Sequence, residues 1–96
     1  MSDWVRGRDE LREFLSYVAL YAPDEFPEED YLEAHEQMTL STAFEQLTKA
    51  LRFVEAVEAR AATTLIESAR DAYVAGDVRT GSAKLLELQR ELFGGP

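Results

Sequence analysis

The chain has 96 residues, 46% of them hydrophobic and 10% aromatic, and carries 19 acids against 10 bases for a net charge of −9. That apolar content excludes intrinsic disorder over most of the chain, and the length suits a single helical domain over residues 1–96 with one modest core. Cysteine is absent, which removes disulfides, thiolate metal sites and cysteine nucleophiles. No apolar run approaches the roughly 20 residues of a membrane span, and "MSDWVRGRDELREF" lacks the apolar centre of a secretion signal, so a cytoplasmic, non-membrane protein is expected.

Helical periodicity dominates the chain and predicts an all-α fold, a small bundle of four to five helices. From Trp4, the apolar positions Leu11, Phe14, Val18 and Tyr21, widened by Leu15 and Ala22, recur at spacings of three and four until Pro23 ends the first helix. Pro27 followed by Glu28, Glu29 and Asp30 reads as a helix start, with acids against the positive end of the dipole. A short second helix over about 27–38 is predicted there, with Tyr31, Leu32, His35 and Met38 on one side and acids on the other.

A long central stretch, about 40–75, then runs without Gly or Pro, with Thr42 and Glu45 in capping-box spacing near its start. Thr64 and Glu67 repeat that spacing, and β-branched Thr63 and Thr64 weaken a helix locally. The stretch is therefore one helix or two, with the break at 62–64. Gly76 suits a left-handed helix end, Asp77 an N-cap, and Leu85, Leu88 and Leu92 the apolar face of a last helix over about 78–93. The segment "AYVAGDVRTGSAKLLEL" is similar to the helical hairpin of tetratricopeptide units at Ala72, Tyr73, Gly76, Asp77 and Gly81. No second copy exists at the period of about 34 residues, so the resemblance implies a tight antiparallel hairpin and no repeat array.

No catalytic constellation is present, and the chain reads as a nonenzyme. His35 is the one histidine, and the Glu-to-His spacing of di-metal bundles fails because position 32 is Leu32. Ser16, Ser41, Ser68 and Ser82 lack a base, and the glycines form no phosphate loop. No cofactor and no metal is expected. Tyr17, Tyr21, Tyr31 and Tyr73 read as the margin of a core, with a ligand pocket as the other reading. Trp4 either packs on the bundle or faces a partner.

The charge is local. Residues 13–48 contain nine acids and no Lys or Arg, and subtracting nine from nineteen leaves ten acids against ten bases elsewhere. Nucleic acid and anionic membranes are disfavoured as partners on this ground. Five acids fall within Asp24 to Asp30 with no interspersed Lys to offset their repulsion. Phe26, Tyr31 and Leu32 interleave with them, so apolar anchors sit among charges that steer a cationic partner. The expected function is a noncatalytic interaction module binding a basic protein, with Asp24, Glu25, Phe26, Glu28, Glu29, Asp30, Tyr31, Glu33 and Glu36 as the partner-binding residues. In general character such a chain resembles immunity proteins and antitoxins, and small acidic secretion chaperones. The alternative is a homo-oligomeric helical scaffold: a continuous central helix would outrun the short helices that cover it and pair with a second copy as a homodimer.

Overall fold

The computed structural model describes residues 4–22, 24–28, 30, 32–33 and 37–94. Among them are four α-helices and no strand: α1 (Arg8–Tyr21), α2 (Leu40–Ala50), α3 (Ala56–Val74) and α4 (Val78–Phe93). Helix α1 buries the predicted stripe Leu11, Phe14, Leu15 and Val18 and carries Asp9 and Glu10 in its first turn, where the dipole favours acids. It ends at Ala22, whose extended backbone is that of a residue preceding proline in the sequence.

The predicted second helix over 27–38 is not formed. Residues 27, 28, 30, 32, 33, 37 and 38 all lie outside helices. Pro27 and the acid run supply a start signal, but the described part of the segment gives the core only Met38, with Leu32 half-buried. That is too narrow a stripe to hold a helix against charge repulsion. The predicted partner residues Glu29, Tyr31 and Glu36, and His35, lie outside the described residues.

Helix α2 begins at Leu40, the expected start of the central stretch, but its cap is not Thr42. Thr39 is its N-cap, accepting the Thr42 N–H at 3.2 Å. The central stretch is broken, and the break falls at 51–55 rather than at 62–64. A 3₁₀ turn over Leu51–Phe53 leads into extended Val54. Leu51, Phe53 and Val54 all pack against the core, and a continuous helix would spread these three around its circumference. Helix α3 then restarts at Glu55, with the Glu58 carboxylate accepting the Glu55 N–H at 3.3 Å. Thr63 and Thr64 sit inside α3. Their hydroxyls donate to the carbonyls of Ala59 and Arg60 at 2.8 and 3.5 Å, satisfying the polar group without ending the helix.

The α3–α4 hairpin follows the predicted pattern. Gly76 adopts φ +86°, its N–H donates to Tyr73 O at 3.1 Å, and the Asp77 N–H donates to Ala72 O at 2.8 Å. This pair of bonds closes α3 as a Schellman motif. Asp77 then caps α4, accepting from the Thr80 N–H at 3.1 Å and the Thr80 hydroxyl at 2.7 Å. These bonds hold its carboxyl below the usual carboxylate range. At Gly81 the helices touch: a Cβ built there would stand 2.7 Å from the Tyr73 ring.

Helix α4 packs along α3 on one side and α1 on the other, while α2 crosses the bundle with looser contacts to α1 and α3. Leu15, Val18, Leu47, Ala69 and Leu85 are fully enclosed where the four helices meet. Arg8 ties three helix ends together. Its guanidinium bonds Glu58 at 3.2 and 3.5 Å, donates to Leu92 O at 2.5 Å, and lies 5.0 Å from the centroid of the Phe93 ring. Arg8, first among the causes, holds the Glu58 carboxyl below its ordinary value.

Candidate functional site

Helix α1 delivers the chain into the acidic segment. After Tyr21 one further turn is closed by the Glu25 N–H donating to Tyr21 O at 2.8 Å. Phe26 then folds back, half-buried, with its ring 5.6 Å from that of Tyr17. Further on, Leu32 is half-buried and its carbonyl accepts from Gln37 Nε2 at 3.0 Å. Met38, 6% exposed, returns the chain to the core. Between these attachments Asp24, Glu25, Glu28, Asp30 and Glu33 are exposed. Asp24, Glu25, Glu28 and Asp30 form no ion pair. The segment is therefore an irregular acidic strap pinned to the bundle by apolar side chains.

The strap begins beside an aromatic cluster. Trp4, Phe14, Tyr17 and Tyr21 join Phe26, with Tyr17 at the centre and ring centroids 5.2–6.4 Å apart. Such spacings are those of favourable aromatic pairs. Trp4 packs on the bundle, and its backbone N–H donates at 3.0 Å to Oε1 of Gln46, a buried polar side chain that sequence reasoning missed. The signal that could have found it is a glutamine set among the apolar positions of α2. Tyr73 is remote from this cluster, packed edge-on to Phe44 at 6.0 Å. Of the described tyrosines, Tyr17 and Tyr21 are half-buried beside the strap and Tyr73 is buried in the core, so the three do not converge on one pocket. Burial pushes the Tyr73 phenol pKa up, and the neighbouring Ser82 hydroxyl pulls it partly back.

Two of the serines, Ser16 and Ser82, have structural bonds. Ser16 Oγ accepts from Gln89 Nε2 at 2.6 Å, and Ser82 Oγ donates to Ala19 O at 3.2 Å, so both stitch α1 to α4. Among the described residues, no group of three or more His, Cys, Asp or Glu has a geometry that would hold a metal ion. No helix among them is long and apolar enough to cross a membrane.

A concavity unseen in the sequence lies where α2 splays from α3. This open groove of about 630 Å³ has Phe44 and Ile66 in its lining and Leu40 and Val74 beside them. The ion pair Lys49–Glu45, at 3.1 Å, sits on one wall and Glu67 and Arg70 on the other. Both walls are charge-balanced, in contrast with the strap.

No protein-family model matches this chain, and neither curated proteins nor solved structures yield a match. The functional reading therefore rests on the residues themselves.

Proposed function

We propose that this chain is a noncatalytic protein-binding module whose acidic strap docks a basic protein. The observation that carries the reading is the run of exposed carboxylates at Asp24, Glu25, Glu28 and Asp30, none of which forms an ion pair among the described residues. A field of one sign raises encounter rates with a cationic surface and repels wrong partners. Phe26 supplies an apolar anchor whose position is set beforehand by Tyr17, which lowers the ordering cost of binding. Glu29, Tyr31, Glu33 and Glu36 extend the same sequence pattern. With the strap lying outside regular helices in its described part, the partner meets carboxylates on a contoured surface rather than one helical row.

The test compares the natural protein with the variant Glu25→Lys, Glu28→Lys, Asp30→Lys. All three residues are exposed, so circular dichroism should be unchanged. Each protein is immobilised, exposed to lysate of the source cell at low salt and eluted with a salt gradient. A basic protein held by the natural chain and lost from the variant, with an association rate that falls as salt rises, is the expected result. Equal retention by both, or a rate indifferent to salt, refutes the proposal.

A further inference from the structure

Helices α1 and α4 form one outer layer of the bundle, antiparallel and in a register marked by cross-links. Ser82 meets Ala19, Gln89 meets Arg12 and Ser16, and Arg8 meets Leu92. Residues whose numbers add to about 101 therefore stand at the same level. At 3.6 residues per turn, Asp9, Glu13, Ser16 and Leu20 form a stripe directly opposite the buried Leu11, Leu15 and Val18. All four are exposed, Leu20 to 68%. On α4, Arg79, Ala83, Leu86 and Arg90 form the matching outward stripe, again all exposed, Leu86 to 44%. One stripe is acidic, its neighbour basic, and each carries an exposed leucine. Asp9, Glu13, Arg79 and Arg90 form no ion pair among the described residues.

We infer that this α1–α4 face pairs with a second copy of the same chain about a two-fold axis parallel to the helices. A symmetric interface must be complementary to itself, and only this axis makes it so. It lays the α1 stripe of one copy on the α4 stripe of the other at equal levels. Arg90 then falls between Asp9 and Glu13 of the partner copy. Arg79 falls at the C-terminal end of α1, where the dipole is negative and no basic residue stands in the last turn. Leu20 comes down within a turn of Ala83, and Leu86 comes level with Ser16. The in-plane axis at right angles would set α1 against α1, acid on acid. Arg12 lies in the seam between the helices, Glu87 borders the α4 stripe on the side away from α1, and Glu91 lies further round. Helix α1 has 14 residues, hence is roughly 21 Å long. A two-helix face of that length buries on the order of 1,000 Å² in a dimer, the weak end of specific interfaces.

The experiment is a dilution series by analytical ultracentrifugation from roughly 1 μM to 1 mM, on the natural chain and two folded charge variants. One is Arg90→Glu and the other Asp9→Lys, Glu13→Lys. None of these three residues belongs to the strap, so failure here leaves the docking proposal standing and the reverse also holds. The natural chain should rise above its monomer mass of 10.9 kDa. Each variant alone should dissociate at a concentration at least roughly tenfold higher, because position 90 then faces like charge at positions 9 and 13 of the partner copy. An equimolar mixture should recover the natural affinity, since each reversed stripe then meets its opposite. Leu20→Ser, which keeps the charges, should weaken the dimer alone and in the mixture. A natural chain that stays monomeric to about 1 mM, variants that associate as the natural chain does, or a mixture that fails to recover affinity would each overturn the assignment.

Discussion

Replacing Gly81 by alanine pits two known effects against each other at one atom. Alanine is favoured over glycine inside a helix by about 1 kcal/mol, so on an open face of α4 the change would stabilise. Here the new methyl would sit 2.7–2.8 Å from three ring atoms of Tyr73, which is itself 3% exposed. Ordinary carbon contacts are about 3.5 Å, so the ring or the α3–α4 spacing must give by roughly 0.7 Å. Overpacking of this kind costs about 1–3 kcal/mol. The expected net loss is about 1 kcal/mol, or roughly 4–8 °C in Tm for a domain of this size. The decisive measurement is a double-mutant cycle with Tyr73→Leu, read by urea denaturation. Removing the ring should turn Gly81→Ala neutral or stabilising, with a coupling of at least about 1 kcal/mol. A coupling near zero, or Gly81→Ala stabilising the natural background, would refute the argument that this close approach limits the hairpin.

Gln46→Leu should cost about 1–2 kcal/mol, because it strands the Trp4 N–H without its buried acceptor; emission from Trp4, the only tryptophan, should shift to the red, and an unchanged spectrum and midpoint would remove Gln46 as the anchor. Acid should weaken the fold through Glu58 and Asp77. Both have folded pKa values below their unfolded ones, so their contribution is complete above the ordinary carboxylate range and is lost as pH falls through the depressed values. Urea midpoints between about pH 5 and pH 2 should fall less steeply for Glu58→Gln, Asp77→Asn than for the natural chain, and identical slopes would refute this.

Local chemistry made part of the fold readable in the sequence. The stripe of α1 and the Ala72-to-Gly81 hairpin each combine periodicity with stop and start residues that agree, and both form as expected. The segment 27–38 had a start signal at Pro27 but too little apolar surface behind it, and the signal lost. At the central stretch, Thr63 and Thr64 weaken a helix by propensity alone, yet their hydroxyls find carbonyl acceptors in α3. The break went where Leu51, Phe53 and Val54 all demand burial, a tertiary requirement that a one-dimensional pattern does not display. The exposure of Asp24, Glu25, Glu28 and Asp30 followed from their charge. The groove behind α2 and the paired stripes of α1 and α4 were invisible, because each is assembled from helices whose mutual register is set only by packing.

The Arg8–Leu92 bond joins groups 84 residues apart along the chain, so the backbone between them forms an almost closed ring. In an unfolded chain, holding ends that far apart in sequence together costs about 4.5 kcal/mol of conformational entropy. Here that loop is closed by one guanidinium and the helix packing around it, with no covalent link. A covalent staple between the start of α1 and the end of α4 would take that entropy out of the unfolded state, acting on a geometry that the folded chain has already adopted.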